Sequence, residues 1–337
     1  MPNVEIAVVV ACAALSVFLL TFAVRRYAAS HGIVDEPNHR SSHVMVTPRG
    51  GGLAIVFVVT AWLVLGWLWL NLISLSLAVA LLGGSIPLAA LGFADDRAGL
   101  PVSVRFAVHV AAVAFALLMT GGINDAGGSS AAWGWQALVG VACLWFLNLF
   151  NFMDGIDGIA AMEAVFVSAA AALLLGWLGA PSGLTWTWLA LAGACLGFLW
   201  HNWSPARIFM GDTGSGFLGF VIAVLLVVST QVTGFSVWTA VILVSAFGAD
   251  ATVTLLRRVA RGHGWSVPHR SHVYQRLARG WTSHARVTTV YLALNVLLIF
   301  PAAAVSVVAP SLAPLVAITV FVALSGLAWM LGAGTED

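Results

Sequence analysis

The chain has 337 residues, of which 61% are hydrophobic and only 8% are charged, and its mean hydropathy is +1.00. This small share of charged side chains cannot cover the surface of a water-soluble domain of this size. The composition therefore indicates a polytopic membrane protein. The net charge of +1 argues against a nucleic-acid-binding protein, because no basic domain is present to neutralise a phosphate backbone. The three cysteines lie in apolar runs and show no spacing typical of disulfides or metal sites.

Apolar runs of about 20 residues, the length that crosses a bilayer as a helix, recur along the chain. They predict an all-α fold, a polytopic membrane helix bundle with about eleven transmembrane helices in a single domain over residues 1–337. The predicted spans are residues 4–24, 51–70, 73–94, 103–121, 134–151, 158–178, 185–202, 214–231, 236–256, 287–308 and 312–332.

The arginines indicate the orientation of these spans. All 14 basic residues are arginines, and none lies in a connection that alternating spans place on the side opposite the motifs. Basic residues near spans are retained on the cytoplasmic side, so we expect the N-terminus outside and the C-terminus in the cytoplasm. The predicted cytoplasmic connections are residues 25–50, 95–102, 152–157, 203–213 and 257–286.

Two amides and two carboxylates recur three residues apart where one apolar run ends. These residues are Asn148, Asn151, Asp154 and Asp157. Each step of three residues falls about 60° short of a full helical turn, so the four side chains cannot share one ligand unless the helix tightens or breaks. Gly155 and Gly158 predict a break that lets the carboxylates face a cleft, while the amides hold neighbouring backbone. The alternative is that the amides merely end a helix and the carboxylates are solvated.

Asp95 and Asp96 end another predicted span. Two adjacent carboxylates repel each other and oppose the helix dipole, so this arrangement is unfavourable unless a cation lies nearby. A divalent metal would supply that cation. The alternative is an ion pair with Arg97 or Arg105 in a short turn.

A third acidic position, Asp212, precedes a glycine-rich helix start. Thr213 or Ser215 can cap this helix, and its exposed N–H groups favour an anion beside Asp212. Mg²⁺ prefers oxygen ligands and is often held by one or two carboxylates together with substrate phosphates. Magnesium with a phosphate therefore suits this segment, and a cap without chemistry is the alternative.

Basic residues in the first and last cytoplasmic connections are candidate phosphate ligands. Arg49, next to a glycine run at a helix start, can receive a phosphate, or it can lie with Arg40 among lipid headgroups. In the last connection His269 and His272 flank Arg270, a set that could hold a pyrophosphate or lipid phosphate. A basic loop lying on anionic lipid is the alternative there.

The role of one further carboxylate, Asp250, has two interpretations. Asp250 lies within an apolar helix near the cytoplasmic end, and it is either a site residue or the partner of a nearby arginine.

Together these motifs resemble the polyprenyl-phosphate N-acetylhexosamine-1-phosphate transferases of glycosyltransferase family 4, which include phospho-N-acetylmuramoyl-pentapeptide transferase. The resemblance covers residues from about 37 to 286. It implies that a UDP-N-acetyl sugar gives its sugar-1-phosphate to undecaprenyl phosphate at the cytoplasmic face of a bacterial inner membrane and releases UMP. Mg²⁺ is the implied cofactor, with Mn²⁺ as a substitute.

The resemblance also implies roles by motif position. The implied catalytic residues are Asp95, Asp96, Asp154, Asp157 and Asp212, with Asp212 and Asp96 at the metal. The implied substrate-binding residues are Arg49, Asn148, Asn151, Asn202, Phe209, His269, Arg270 and His272. By the same resemblance, Asp154, Asp157 and Asn202 lie on the nucleotide side of the site, and Phe209 packs near the uracil.

Two positions depart from the pentapeptide-transferring branch. That branch has three consecutive histidines in the last loop, whereas this chain has His269-Arg270-Ser271-His272, a pattern closer to the branch that initiates O-antigen and surface polysaccharides. Arg97 alters the charge balance beside the aspartates.

The expected partners are the UDP-sugar, undecaprenyl phosphate and membrane lipid, and a homodimer is a further possibility. A transporter or flippase of a phosphorylated solute is the competing function.

The arginine distribution yields a testable topology. Cysteines introduced near Arg97, Asp154, Arg207 and Arg270 should react with an impermeant thiol reagent only after the membrane is opened, because all four positions are predicted to face the cytoplasm. Labelling of any of them in intact cells would contradict this orientation.

Overall fold

The structure is a computed structural model that describes residues 2–35, 45–122, 130–264 and 269–335. Nearly all of the described chain is helical. The helices are α1 (Pro2–Ser30), α2 (Gly52–Leu68), α3 (Leu75–Ala98), α4 (Val102–Thr120), α5 (Ser130–Phe152), α6 (Ile159–Trp177), α7 (Ser182–Asn202), α8 (Asp212–Ser229), α9 (Val237–Leu243), α10 (Ser245–Ala260), α11 (Val273–Trp281), α12 (His284–Leu294), α13 (Phe300–Val308) and α14 (Ala313–Met330). A π-helical turn, Asn295–Ile299, joins α12 to α13, and a 3₁₀ turn, Pro310–Leu312, precedes α14.

Nine helical segments within the described ranges are long and apolar enough to cross a membrane, so the chain is a multi-pass membrane protein. Two of the eleven predicted spans take a different form. The span predicted at 51–70 is α2, which has 17 residues. The span predicted at 236–256 is two helices, α9 and α10, bent by 76° at Val244, whose ψ of 9° lies outside the helical range. The total of eleven spans and the orientation of the termini remain predictions.

The predicted all-α fold is confirmed apart from one short strand pair. Two short strands, β1 (Val34–Asp35) and β2 (Thr47–Pro48), pair antiparallel in the first connection and bring Arg49 to the start of α2. Arg40 of the same connection lies outside the described residues. The last connection is not a simple loop either, because it contains α11.

Helix α8 forms the centre of the bundle, packed against α2, α3, α5 and α6, and nearly all of its side chains are buried. Glycines let neighbouring helices approach its first turn closely. A methyl group at Gly52 would overlap the backbone of Gly214, and one at Gly92 would lie 2.5 Å from the carbonyl oxygen of Asp212. The N-terminal end of α8 is therefore held tightly between α2 and α3.

Candidate active site

The predicted helix break is present between α5 and α6. Helix α5 ends at Phe152 and α6 begins at Ile159, and Gly158 has φ of +77°, a conformation that glycine adopts without steric penalty. Asp154 and Asp157 lie in the connection, and both line a cavity of about 210 Å³. The break thus directs both carboxylates into one cleft, as the sequence predicted.

The two amides of the motif have different partners. Asn151 Nδ2 donates to Asp212 Oδ1 at 3.1 Å and to Ser215 Oγ at 2.8 Å. Asn148 Nδ2 donates to the carbonyl oxygen of Leu144 at 2.7 Å. The sequence predicted that both amides bond to neighbouring backbone. Only Asn148 does so, whereas Asn151 fixes the side chain of Asp212.

The N-terminus of α8 is capped from another helix. Asp96, at the end of α3, accepts the backbone N–H of Asp212 at 3.0 Å, and it accepts the backbone N–H and the hydroxyl of Thr213 at 3.2 and 3.0 Å. The expected cap by Thr213 or Ser215 is wrong, because the N-cap position is Gly211, which has no side chain. The anion expected at this helix end is therefore the carboxylate of Asp96 itself.

Arg49 supplies a cation to this carboxylate cluster. Its Nη2 lies 3.1 Å from Asp96 Oδ1 and 3.7 Å from Asp212 Oδ1. Burial alone would lower the pKa of Arg49, but the two carboxylates outweigh it and raise that pKa. Since a guanidinium has five N–H donors, Arg49 can hold Asp96 and still present donors to the cavity it lines.

Asp95 is also paired. Its Oδ2 accepts from Arg105 Nη1 at 2.7 Å and its Oδ1 accepts from the backbone N–H of Leu100 at 2.5 Å. The guanidinium of Arg97 instead lies 3.7 Å from the centre of the Phe93 ring. Of the two arginines considered as partners for the aspartate pair, the structure places Arg105 in contact with Asp95.

The two carboxyls of the α5–α6 connection differ electrostatically. Burial raises the pKa of Asp154 well above its ordinary value, and the charge of Asp212 adds to the effect. Burial would also raise the pKa of Asp157, but His284 and the N–H of Ala206 outweigh it and hold that pKa below its ordinary value. Asp157 is thus an anion already satisfied by the protein, whereas Asp154 would gain most from a cation entering the cavity.

Asn202 and Phe209 help to shape the same cavity. Asn202 accepts the N–H of Gly158 at 3.1 Å through Oδ1 and donates to the carbonyl of Ile208 at 3.0 Å. The N–H of Phe209 donates to the carbonyl of Pro48 at 2.8 Å. These bonds join the start of α6, the segment before α8 and strand β2 around one cleft.

The residues of the last connection lie less close to the cavity than expected. His272 is buried and its Nδ1 lies 3.4 Å from Asp250 Oδ1, so Asp250 pairs with a histidine, not an arginine. His269 Nδ1 lies 3.1 Å from the hydroxyl of Ser271, and burial together with His272 lowers the pKa of His269 to about 3, which leaves its ring neutral. Neither histidine nor Arg270 is among the described residues that line the cavity.

Two cavity residues were not predicted, Gln275 and His284. His284 begins α12 directly after Ser283, whose hydroxyl accepts the N–H of Arg286 and caps that helix. Its contact with Asp157, 127 positions away, has no signature in a single sequence.

An apolar groove of about 110 Å³ adjoins the polar cavity. It runs between α3, α4, α5 and α8 and is lined by apolar side chains together with Asp95, Arg105, His109 and Asn148. Its apolar lining residues are Leu88, Leu91, Val102, Phe106, Leu147 and Phe152. Asn151 and Asp212 line both the cavity and the groove, so the site has a polar side and an apolar side that meet at these two residues.

These features define a multi-pass membrane protein with a carboxylate- and arginine-rich site at one end of its helices. Residues 77–230 match the family described as Glycosyl transferase family 4. A Bacillus subtilis protein named probable undecaprenyl-phosphate N-acetylglucosaminyl 1-phosphate transferase is 33% identical over 290 residues, which cover 82% of this chain and 79% of the relative. The chain belongs to glycosyl transferase family 4.

Two further relatives show the breadth of this similarity. The phospho-N-acetylmuramoyl-pentapeptide-transferase of Mycobacterium leprae is 33% identical over 312 residues, covering 76% of this chain and 84% of the relative. The undecaprenyl-phosphate alpha-N-acetylglucosaminyl 1-phosphate transferase of Escherichia coli K12 is 27% identical over 304 residues, covering 84% of this chain and 80% of the relative.

The interhelical cap yields a prediction that separates two aspartates. Asp96→Ala should lower the apparent melting temperature of the purified protein by several degrees, because it leaves two N–H groups of α8 without their acceptor and removes the nearer of the two carboxylates that contact Arg49, a loss of roughly 1–2 kcal/mol. Asp212→Asn keeps an oxygen at the same place and should leave the melting temperature nearly unchanged. Equal melting temperatures for wild type and Asp96→Ala would contradict the capping role.

Proposed function

We propose that the chain transfers N-acetylhexosamine-1-phosphate from a UDP-sugar to undecaprenyl phosphate and releases UMP. The donor occupies the polar cavity and the phosphate of the lipid acceptor approaches through the apolar groove. The observation that carries this proposal is the junction of the two spaces at Asn151 and Asp212. A water-soluble nucleotide sugar and a membrane lipid can react only where a polar and an apolar space meet.

The charges around the junction suit two phosphate-bearing substrates. Arg49 borders the polar cavity and Arg105 borders the apolar groove, so a cation stands on each side of Asp212. Phosphoryl transfer depends mainly on positioning and on stabilisation of the charge that spreads over the transferring group. Fixed guanidinium groups on both sides supply such stabilisation without a covalent contribution from the protein.

The carboxylates also suit a magnesium ion. No cluster of three or more histidine, cysteine, aspartate or glutamate side chains within the described part of the chain is placed to hold a metal. Mg²⁺ is commonly bound through one or two carboxylates plus substrate phosphates and water, and Asp212 and Asp154 both line the cavity. Both oxygens of Asp96 already accept N–H donors, so we assign Asp96 to the cap and propose Asp212, with Asp154, as the metal-binding carboxylates. When bound, the ion neutralises the donor diphosphate; Mn²⁺ has similar ligand preferences.

The biological setting follows from the same argument. The relatives' names make UDP-N-acetylglucosamine the first donor to test, while other UDP-N-acetyl sugars, including 6-deoxy forms, remain candidates. We place the reaction at the cytoplasmic face of the bacterial inner membrane, where it would initiate a lipid-linked envelope glycan such as O-antigen. A transporter or flippase is the alternative, but transporters usually place ionisable groups near the bilayer midplane, whereas these carboxylates cluster at the ends of α3, α5 and α8.

The activity is tested by following UMP release from a UDP-sugar by the purified protein. Release should require both undecaprenyl phosphate and Mg²⁺, and Asp212→Asn should reduce it at least about 100-fold at every Mg²⁺ concentration, because a charge beside the transferring phosphate is lost. Glu5→Gln is the matched control, since Glu5 is an exposed carboxylate of α1 far along the chain from the site.

Three outcomes would count against this proposal. UMP release that does not depend on lipid phosphate would exclude this acceptor. Retention of most activity by Asp212→Asn would remove the metal role. Movement of the intact UDP-sugar across proteoliposomes without UMP release would favour the transporter.

We further propose direct attack by the lipid phosphate. An oxygen of the lipid phosphate attacks the sugar-bearing phosphorus of the donor, the bond from that phosphorus to the bridging oxygen breaks, and UMP leaves with that oxygen. Asp95 would be the candidate nucleophile of a two-step route, but both of its oxygens are engaged by Arg105 and Leu100. Enzyme freed of all lipid phosphate should therefore not exchange labelled UMP into UDP-sugar. Reproducible exchange under those conditions would establish a covalent intermediate instead.

A further inference from the structure

We propose that His284 is a positioning residue of the donor cavity, which fixes Asp157 and thereby sets the affinity for the nucleotide sugar. This inference rests on the proposed function. His284 is the first residue of α12, and its side chain lines two adjoining cavities that also share Asp157 and Phe209. No motif in the sequence includes it.

Helix α12 holds Asp157 at two points. His284 Nδ1 lies 3.2 Å from Asp157 Oδ1 and 3.4 Å from the backbone nitrogen of Asp157. One turn further, the hydroxyl of Thr288 donates to the carbonyl oxygen of Asp157 at 3.0 Å. Both side chain and backbone of Asp157 are thus fixed by one helix.

The second carboxylate oxygen of Asp157 completes a three-way connection. Asp157 Oδ2 accepts the N–H of Ala206 at 3.1 Å, in the segment that leads to Phe209 and α8. The carboxylate therefore joins the α5–α6 connection to the α7–α8 connection and to α12. Removal of the His284 imidazole would remove the contact that ties Oδ1 to α12 and let the carboxylate turn within the cavity.

The ring of His284 has a second nitrogen on its opposite edge. Nδ1 is used by Asp157, and within the described residues Nε2 has no hydrogen-bond partner in the protein. Because His284 lines the cavity, Nε2 is the ring nitrogen that remains to contact a bound donor. The holding role through Nδ1 and any contact through Nε2 can be separated, since asparagine places its amide near the position of Nδ1 and glutamine places its amide nearer that of Nε2.

The test compares His284→Ala, His284→Asn and His284→Gln in the full-length protein. His284→Ala should raise KM for the UDP-sugar and weaken UMP binding about tenfold, the effect expected for loss of one hydrogen bond to a charged group, while kcat changes less than about threefold. His284→Asn should restore both values to within about threefold of wild type, because it keeps the bond to Asp157. His284→Gln should behave like His284→Ala. Thr289→Ala, on the exposed face of the same helix, is the matched control and should match wild type.

Several results would overturn the assignment. They are unchanged KM and UMP affinity in His284→Ala, a loss confined to kcat, or rescue by glutamine but not by asparagine. A double-mutant cycle of His284→Ala with Asp157→Asn, read by melting temperature, keeps the test independent of activity. The two substitutions should lower the melting temperature less together than the sum of their separate effects. If this coupling is present but the wild type neither binds UMP nor releases it, the proposed function is wrong while the contact between His284 and Asp157 is supported. If the two melting-temperature shifts are additive, the contact itself is refuted.

Discussion

The bond between Asp96 and the first turn of α8 is the interaction on which the site depends. The first N–H groups of a helix have no partner within it, and each unpaired buried group costs about 1–3 kcal/mol. Asp96 satisfies two of them and places its negative charge at the positive end of the helix dipole. Arg49 balances that charge from the start of α2. With α8 fixed in this way, the Asp212 side chain lies within reach of Asn151 and faces the junction of the cavity and the groove.

The features that could be predicted from the sequence are those specified locally. Nine apolar runs became long membrane helices, because a run of about 20 apolar residues is sufficient to specify a spanning helix. The break before α6 was predicted from Gly155 and Gly158 for a similar reason. The cap of α8 was not, since a serine or threonine beside a helix start is a local signal, whereas Asp96 lies 116 residues from Asp212. The bend between α9 and α10 likewise has no glycine or proline at Val244 to reveal it.

The candidate site shows the same division. Its carboxylates and amides were found because charged and polar residues at the end of an apolar run are rare and conspicuous. Their partners depend on packing between distant elements, so Asn151 proved to bind a side chain and His272 proved to be buried against Asp250. His284 was missed because its environment is made by the α5–α6 connection. A histidine outside any motif has no pattern that distinguishes a site residue from a surface one.

Helix α12 explains why several acidic side chains can be buried around this site. Its inward face, together with the π-helical turn that continues it, carries four polar residues spaced four, three and four apart, the spacing of one helical face. They are His284, Thr288, Tyr291 and Asn295. His284 and Thr288 hold Asp157, Tyr291 donates to Asp250 at 2.9 Å, and Asn295 donates to Glu163 at 2.5 Å. A buried carboxyl within a membrane protein is strongly unfavourable unless it is paired, so each contact offsets the desolvation of one acidic residue. Because α12 and the turn that continues it serve all three acidic residues, a displacement of α12 would disturb the donor cavity, the Asp250 carboxylate and the interior of α6 together. The Asp250 carboxylate accepts the first N–H groups of α11.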